Sequence, residues 1–384
     1  MSTKGSISVM YGDTVNYWAA GKLLLNGTNP YSEESVIELR NQAGFFYEFP
    51  EKALFQIMYP PWAIPIMLPL GLFAYPISRM LWLLFHIIIV LICADLIWQI
   101  YGGMRDKKII TYIITITFAP TIFVLGVGHI TTLHLLGLVG FLYFLQHPHR
   151  GRWSNIAAGG FASLVLLKPQ LLYLFLFALF LWTISKREWF IIAGGVLFIS
   201  FSTLISIIFD PQIFPQYLET LSKYQLGAWA TPTIGMLLRL VLGIEKEWLQ
   251  SIPPLLGLIW FVFHWRKTRE KWHWNEELPL IILVSYLTSP YMWTYDMVVF
   301  LIPIIAVIIE LMKLNNKWVA RTFVGFLFFI SIATFLLHLR LSDFWFFWLS
   351  PVLLIWYLVG KKITKKNIRI PESAEQDLAQ AAPN

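Results

Sequence analysis

Residues 79–101 read RMLWLLFHIIIVLICADLIWQIY, and this stretch decides the class of fold. It is an almost unbroken apolar run, close to the roughly 20 residues that a helix needs to cross a bilayer. Apolar and polar residues do not alternate along it, as they would in a strand of a membrane barrel. We therefore predict an all-α polytopic membrane protein with about 11 transmembrane helices. The further apolar stretches lie at about 109–125, 129–146, 153–168, 170–184, 189–209, 251–265, 278–290, 295–312, 319–338 and 344–360.

The composition agrees with a chain whose main solvent is lipid. Of the 384 residues, 57% are hydrophobic and only 13% are charged, whereas soluble domains carry about 25% charged residues. The net charge of +7 would suit nucleic acid, but the basic residues lie in short segments between apolar stretches. That distribution is typical of cytoplasmic loops, so we predict a bilayer partner and no nucleic acid. Cys93 is the only cysteine, which excludes an intrachain disulfide.

Six basic segments predict the orientation of the chain. All six can be cytoplasmic at once, because they alternate with connections that carry little positive charge. The basic residues are Arg105, Lys107 and Lys108; Arg150 and Arg152; Lys186 and Arg187; Arg266, Lys267, Arg269 and Lys271; Lys313, Lys317 and Arg321; and Lys361, Lys362, Lys365, Lys366 and Arg369. The extracytoplasmic side then receives residues 1–78, 126–129, 168–170, 210–250, 289–296 and 340–343.

Three regions follow from this topology. Residues 1–78 form an extracytoplasmic loop region, 79–360 a transmembrane bundle, and 361–384 a basic cytoplasmic tail that we expect to be disordered. Within the first region, residues 60–75 contain four prolines that would break a spanning helix. We read them as an interfacial or re-entrant segment, and residues 233–243 as a surface segment. Residues 1–12 contain no span, so we expect a further helix before them; alternatively, helix 79–101 carries the N-terminus across.

Several short motifs lie on the predicted extracytoplasmic side. They are Asp13 with YWAAG at 17–21, NGTNPY at 26–31, YPPW at 59–62 with PL at 69–70, GH at 128–129, KPQ at 168–170, SPYMWTYD at 289–296, and Pro303. In order and spacing they resemble glycosyltransferase family 87 over roughly residues 11–312. This family contains GT-C type membrane enzymes that use polyprenyl-phosphate sugars, and its mannosyltransferases are best known. Three features depart from the family: its first transmembrane helix is missing, His129 replaces a commoner Gln, and Tyr291 stands where many relatives have His.

The resemblance implies a hexosyltransferase of cell-envelope glycan biosynthesis. It implies transfer of a sugar, mannose in the best-known relatives, from a polyprenyl-phosphate donor to a hydroxyl of a glycolipid, glycan or other acceptor. The site would face outward in a bacterial cell membrane. A hydroxyl becomes a good nucleophile when a carboxylate takes its proton, and Asp13 is the candidate base. A single such base fits an inverting displacement. The alternative role for Asp13 is to cap the helix predicted to follow it.

Other candidate residues have similar pairs of interpretations. Lys168, His129 and Arg239 are candidates for binding the donor phosphate, because a departing anion needs cations or donors. Lys168 could instead snorkel, and His129 could pack between helices. Asp296 could orient the site or cap a helix, and the nearby aromatic residues could stack on a sugar or form an interfacial belt. The predicted substrate-binding residues are Tyr17, Asn29, Tyr31, Tyr59, Gln170, Tyr291, Trp293, Tyr295 and Asp296.

The sequence indicates neither a cofactor nor a metal. It contains no cluster with metal-ligand spacing and no P-loop or dinucleotide motif. We therefore predict no cofactor and a lipid-linked donor. The alternatives are a transporter or flippase of lipid-linked sugars and an inactive GT-C relative. A transporter would need charges near the middle of its spans and repeated halves, and Asp95 is the exception among spans with few charges.

Overall fold

The computed structural model describes residues 12–44, 57–146, 151–223 and 230–368, and every regular element within these ranges is helical. The prediction of an all-α protein is confirmed. The α-helices are α1 (Gly12–Leu25), α2 (Glu33–Gln42), α3 (Leu68–Gly71), α4 (Tyr75–Ile100), α5 (Ile109–Thr117), α6 (Ala119–Val127), α7 (Thr132–Leu145), α8 (Arg152–Ser163), α9 (Tyr173–Lys186), α10 (Trp189–Phe209), α11 (Ile213–Lys223), α12 (Ile234–Leu242), α13 (Ile252–Thr268), α14 (Trp274–Leu287), α15 (Leu301–Met312), α16 (Lys317–His338) and α17 (Leu349–Ile368).

Among the described residues, five helical segments are long and apolar enough to cross a membrane. They are Tyr75–Ile100, Trp189–Phe209, Thr294–Met312, Lys317–His338 and Asp343–Lys366, and the bent pair Arg105–Thr117 and Ala119–Val127 can make a sixth. The chain is thus a multi-pass membrane protein, but the predicted count of about 11 spans is not confirmed. An α-helix lies in each predicted stretch, yet many are short. At 1.5 Å per residue, a 14-residue helix covers only about 21 Å of a core roughly 30 Å thick.

The bend between α5 and α6 has a local cause. The two helices meet at an angle of 58°, and Phe118 between them is extended. Pro120 occupies the first turn of α6, where its missing N–H is tolerated, whereas in a helix interior it would remove a hydrogen bond.

The proline-rich segment packs against α1. It forms a 3₁₀-helix, Pro61–Met67, which contains Pro65 and continues into the four-residue α3. A Cβ atom on Gly21 would lie 2.1 Å from the carbonyl oxygen of Met67. Only glycine at this position therefore lets the two backbones meet. The interfacial or re-entrant character of residues 60–75 stays a prediction.

The candidate span α10 holds the same segment from another side. Ser202 Oγ donates to the carbonyl of Trp62 (2.7 Å), and Ser206 Oγ donates to that of Pro61 (2.6 Å). The indole N–H of Trp62 in turn donates to the carbonyl of Leu166 (3.1 Å). These bonds satisfy backbone groups that the prolines leave without helical partners.

A corner at Gly128 joins α1, α4 and α6. Gly128 ends α6 with φ 69° and ψ 34°, a left-handed conformation that glycine adopts without strain. Thr14 Oγ1 donates to the carbonyl of Val127 (3.1 Å), and the indole N–H of Trp82 donates to that of Gly128 (2.7 Å). A Cβ atom on Gly128 would lie 2.0 Å from Thr14 Oγ1. The corner thus brings the first turn of α1 beside His129.

The start of the predicted tail is helical. α17 continues past residue 360 to Ile368, and Lys361 Nζ lies 2.6 Å from Glu310 Oε1. This ion pair and a bond from Thr364 Oγ1 to Glu310 (3.2 Å) tie the last turns of α17 to α15. Residues 361–368 are thus helical, whereas the boundary between bundle and tail stays a prediction. Residues 369–384 lie outside the described part of the chain.

Candidate active site

A buried ion pair lies at the centre of the site. Lys168 Nζ is 3.0 Å from Asp296 Oδ1 and 3.1 Å from Oδ2. The Asp296 carboxylate has no exposed surface, and Lys168 is also buried. Two buried charges of opposite sign are tolerated together when further hydrogen bonds satisfy them, whereas one alone would be strongly unfavourable. The pair therefore has to form as a unit.

The local chain around each member explains how the pair forms. Lys168 lies between two 3₁₀-helices, Leu164–Leu167 and Pro169–Leu171, because Pro169 cannot continue the first. Asp296 lies in the first turn of the 3₁₀-helix Thr294–Phe300, and its Oδ2 accepts from the backbone N–H of Trp293 (2.8 Å). Asp296 thus caps a helix and orients Lys168 at once, so its two interpretations are compatible.

His129 extends this pair into a longer chain of polar contacts. Its Nε2 lies 3.3 Å from Lys168 Nζ and 2.7 Å from the hydroxyl of Tyr59. Its Nδ1 lies 2.6 Å from Thr131 Oγ1, which donates to Asp296 Oδ1 (2.5 Å). Burial, and next the nearby Lys168 ammonium, hold the pKa of His129 well below its usual range. The imidazole is therefore neutral and accepts hydrogen bonds.

Tyr59 links this network to α1. Its hydroxyl lies 2.9 Å from that of Tyr17, which is buried in the second turn of α1. Burial raises the pKa of both phenols, and the negative charge of Asp13 raises both pKa values further. Both tyrosines therefore stay protonated and act as hydrogen-bond donors. We call Tyr17, Tyr59, His129, Thr131, Lys168 and Asp296 the polar network.

Asp13 lies next to the polar network without being bonded to it. It is the second residue of α1, four residues before Tyr17, so both side chains lie on one helix face. Its position inside the first turn is not that of an N-cap. Asp13 is half-buried, and no hydrogen bond or ion pair engages its carboxylate among the residues that the structure describes.

The charges of the network act on Asp13. Burial raises the pKa of its carboxyl group to about 6. The Lys168 ammonium opposes this rise, the Asp296 carboxylate adds to it, and Arg40 opposes it. A carboxylate with such a pKa is ionised at neutral pH and is a stronger base than an ordinary aspartate.

Arg40 is a residue that the sequence analysis missed. It lies in α2, is buried, and donates from Nη1 to Asn16 Oδ1 (3.2 Å). In a polar helix, a basic residue suggests solvent exposure. The available signal was its spacing, because Arg40 lies four residues after Val36 and these two are the buried residues of α2. Thr131 was missed too, although it lies only two residues from His129.

Three aromatic rings line one side of the network. Tyr295 lies with its ring centre 4.4 Å from that of His129 and 5.6 Å from Lys168 Nζ. Trp293 stacks on Tyr295 at 6.2 Å, and its indole N–H donates to the hydroxyl of Tyr291 (2.8 Å). Tyr291, Trp293 and Tyr295 are half-buried, whereas the residues between them are buried. The three rings therefore form one partly accessible surface.

Two candidates from the first loop support the site indirectly. Asn29 Oδ1 accepts from the backbone N–H of Tyr31 (2.8 Å), which makes a local turn. The hydroxyl of Tyr31 donates to the carbonyl of Tyr59 (2.9 Å). Tyr31 therefore positions the backbone of Tyr59, and Asn29 positions Tyr31.

The remaining two candidates lie beside the 289–296 segment. The carbonyl of Gln170 accepts from Ser289 Oγ (3.2 Å). Arg239 donates to the carbonyl of Ile244 from Nε (3.0 Å) and Nη2 (2.7 Å), and from Nη1 to Gln250 Oε1 (2.8 Å). Gln250 Nε2 donates to the carbonyl of Pro290 (2.7 Å). These contacts connect Arg239 to the segment through Gln250, whereas none of them joins it to the polar network.

The comparison with known proteins identifies the family. A family model for glycosyltransferase family 87 matches residues 57–290, more than half of the chain. The chain belongs to glycosyltransferase family 87. It is therefore a membrane glycosyltransferase. Neither a curated protein nor a solved structure matches the chain. The matched residues include Tyr59, His129 and Lys168, whereas Asp13 and Asp296 lie outside them.

The geometry suits the chemistry of a glycosyltransferase. Such an enzyme needs a base for the acceptor hydroxyl and positive charge or hydrogen-bond donors for the departing group. Asp13 provides an accessible carboxylate, and the polar network provides buried donors beside it. Among the described residues, no group of three or more His, Cys, Asp or Glu side chains could hold a metal ion. That the reaction needs no metal stays a prediction.

Proposed function

We propose that this family 87 glycosyltransferase moves a sugar from a polyprenyl-phosphate donor to an acceptor hydroxyl, with Asp13 as the general base. The observation that carries the proposal is the state of the Asp13 carboxylate. It is half-buried and without a partner among the described residues, and its pKa of about 6 responds to Lys168 and Asp296. A carboxylate that only stabilised the fold would be bonded, as Asp296 is.

In the proposed step, the acceptor oxygen attacks the anomeric carbon of the donor sugar. Its proton passes to Asp13, and the bond between that carbon and the phosphate oxygen breaks. The electron pair of the broken bond leaves with the polyprenyl phosphate. A single displacement of this kind inverts the anomeric centre, as it does in inverting glycosidases.

The ion pair supports inversion over retention. A retaining double displacement needs a second carboxylate as nucleophile. Asp296 is the other carboxylate whose charge acts on Asp13, but it has no exposed surface and binds Lys168, Thr131 and the Trp293 amide. It is therefore held as a positioning group, and among the described residues Asp13 is the carboxylate at the site without a hydrogen bond.

Lys168 and His129 lie where they can help the departing phosphate. Lys168 is bonded to Asp296, yet its charge lowers the pKa of Asp13 and therefore acts across the site. Neutral His129 contacts both Lys168 and Tyr59 through its Nε2 atom and so links them. We propose that both act on the phosphate mainly by electrostatics and by positioning. For Arg239, the bonds to Ile244 and Gln250 favour a role in holding the 289–296 segment.

The three-ring surface of Tyr291, Trp293 and Tyr295 is proposed to bind the sugar. Aromatic faces pack against the apolar face of a sugar, and the phenol and indole groups can bond to its hydroxyls. Mannose as the sugar, and a glycolipid or glycan as the acceptor, follow from the resemblance to the family alone.

We propose that the site faces outward in a bacterial cell membrane, and two sets of contacts agree with the predicted topology. Apart from Thr131, the residues of the polar network lie in segments that were expected on that side. On the other side, Lys313 Nζ donates to the carbonyl of Tyr101 (3.5 Å), and Lys108 pairs with Asp95. Lys108 and Lys313 lie in segments that were expected to be cytoplasmic, and Asp95 and Tyr101 lie in the last turns and at the end of the predicted span 79–101. Asp95 was the charge within the spans that suggested a transporter. Its pairing with Lys108 gives it a structural role and weakens that alternative.

Donor dependence and stereochemistry test the proposal. The full chain, reconstituted in vesicles, is supplied with a polyprenyl-phosphate mannose or a nucleotide mannose together with a lipid-extract acceptor. We expect transfer from the lipid-linked donor only, with inversion at the anomeric carbon seen by NMR. Transfer from the nucleotide sugar, or retention of configuration, would overturn the proposal.

A further inference from the structure

Residues 12–17 of α1 carry four polar side chains, and two of them are bonded within the fold. Thr14 Oγ1 donates to a backbone carbonyl at the end of α6 (3.1 Å), and the Tyr17 hydroxyl is bonded to that of Tyr59 (2.9 Å). The other two are Asp13 and Asn16, which lie three residues apart in the helix. Such neighbours share one helix face, with Cβ atoms about 5–6 Å apart. Asn16 therefore lies beside the proposed base.

Arg40 on α2 fixes the direction of the Asn16 amide. Its Nη1 donates to Asn16 Oδ1 (3.2 Å), and both side chains are buried. Arginine has donors only, so the amide oxygen faces Arg40 and the amide nitrogen Nδ2 faces elsewhere. Among the described residues no hydrogen bond engages Nδ2, and 5% of the Asn16 surface is exposed. An N–H group that is nearly buried and unbonded is unfavourable, and a ligand can provide its missing acceptor.

The same arginine acts on Asp13. Burial raises the pKa of the Asp13 carboxyl group, and Arg40 opposes this rise together with Lys168. Because charges interact more strongly at short range, Arg40 lies near the carboxylate as well as bonding to the amide. Asp13 and Asn16 thus belong to one site, which presents a hydrogen-bond acceptor beside a donor.

An acceptor beside a donor matches two neighbouring hydroxyl groups of a ligand. A hydroxyl can donate one hydrogen bond and accept others, so one hydroxyl can donate to Asp13 while the next accepts from Asn16 Nδ2. If a single hydroxyl bound both groups, the amide N–H would draw electron density from the attacking oxygen and weaken it as a nucleophile. A sugar ring carries neighbouring hydroxyls, whereas a serine or threonine side chain or a simple lipid alcohol carries one.

The stereochemistry of the proposed step assigns this pair of groups to the acceptor. In an inverting displacement, the base and the departing group lie on opposite faces of the sugar that is transferred. Asn16 shares a helix face with the base, so its amide lies on the side where the acceptor approaches. The departing phosphate lies on the other side of the anomeric carbon.

We infer that Asn16 binds a second hydroxyl of the acceptor, next to the hydroxyl that attacks, and so selects a sugar as the acceptor. This role rests on the proposed function, because that function defines which oxygen attacks. If Asn16 only tied α1 to α2, then Asn16→Asp would be tolerated, since a carboxylate keeps an oxygen for Arg40. The same variant removes the N–H donor, so it separates the two roles.

The test measures sugar transfer to octyl mannoside and to its monodeoxy analogues, each of which lacks one hydroxyl. The full chain is supplied with whichever donor supports transfer, and NMR of the product identifies the oxygen that attacked. We expect the parent protein to lose at least tenfold in kcat/KM when a hydroxyl next to the attacking one is absent, because Nδ2 is then left unpaired. Asn16→Asp and Asn16→Leu should lose less than threefold.

The comparison of two acceptors within one variant cancels any change in stability or in the pKa of Asp13. Asn16→Asp keeps the contact with Arg40, so it covers the case in which Asn16→Leu fails to fold. The matched control is Asn26→Asp, which makes the same change at an exposed position just after α1. It should discriminate between the acceptors as the parent does.

Two outcomes would overturn the role of Asn16. One is equal discrimination by the parent and Asn16→Asp. The other is a parent that glycosylates a lipid extract but none of the mannosides. Asp13→Asn separates this role from the proposed function. If Asp13→Asn keeps transfer while Asn16→Asp loses discrimination, the proposed base fails and the role of Asn16 stands; loss of transfer in Asp13→Asn with discrimination intact in Asn16→Asp gives the reverse.

Discussion

Lys168 and Asp296, which lie 128 residues apart in the chain, meet in a two-point contact at the centre of the candidate site. Both side chains are buried, so each charge depends on the other. The pair also holds Thr131 and His129, and its charges act on Asp13 from opposite directions. The ion pair thus connects the stability of the bundle to the state of the proposed base.

Breaking the pair on one side should destabilise the protein strongly. We expect Lys168→Met to lower the free energy of unfolding by about 3–5 kcal/mol, because it leaves a buried carboxylate without a counter-charge. Asp296→Asn removes the negative charge and keeps one acceptor oxygen, which can serve either Thr131 or the backbone N–H of Trp293. The double variant should therefore be more stable than Lys168→Met alone, measured by thermal unfolding in detergent. A double variant as unstable as the sum of the singles would refute the charge argument.

The pH dependence of sugar transfer should report the ionisation of the Asp13 carboxyl group. With a pKa of about 6, Asp13 is protonated below that pH and cannot act as a base. We expect kcat/KM to be flat above about pH 7 and to fall about tenfold per pH unit well below 6. A flat profile from pH 5 to 8 would contradict this assignment.

The contribution of Asp13 to the stability of the protein should fall as the pH rises, whereas sugar transfer should increase. The folded pKa of Asp13 lies above its usual value of 3.8, so folding favours the protonated form. This contribution is fully present below about pH 4 and is lost as the pH rises through about 6. Asp13→Asn should therefore raise the unfolding temperature more at pH 7.5 than at pH 4.5. An equal shift at both values would show that the carboxyl group is not perturbed.

Substitution of Gly128 should damage the corner that places α1. Gly128→Ala puts a Cβ atom 2.0 Å from Thr14 Oγ1 and strains a left-handed residue, at about 1–3 kcal/mol for the strain alone. We expect lower stability and a loss of transfer activity, because Asp13 and His129 flank the displaced contacts. The matched control is Gly325→Ala in α16, where no atom lies within 4 Å of the added Cβ. Similar losses in both variants would refute the role of the corner.

Removal of the Tyr59 hydroxyl should disconnect α1 from the network. Tyr59→Phe leaves the Tyr17 hydroxyl and His129 Nε2 without their shared partner, at about 1–3 kcal/mol. Tyr31→Phe is the control, because it removes only the bond to the Tyr59 carbonyl. We expect transfer to fall at least tenfold more in Tyr59→Phe. Equal activity in the two variants would place the network outside the reaction.

The order of the polar motifs and the basic loops predicted a large part of this site. Lys168, His129, Tyr59 and Asp296 lie in separate segments, and the charge pattern alone placed those segments on one side. Helix lengths were less predictable, because a continuous apolar run does not reveal where the chain bends, as between α5 and α6. Arg40 was not predicted as a site residue, since its role depends on which surface packs beside Asp13. No local pattern encodes that contact.

The central claim is that Asp13 takes the proton of the acceptor, and its most direct test is the rate of transfer from polyprenyl-phosphate mannose by Asp13→Asn. Asparagine is nearly isosteric with aspartate but cannot act as the base. We expect a fall of about 10²–10⁴-fold in kcat, with the protein level unchanged. Full transfer activity in Asp13→Asn would contradict the claim.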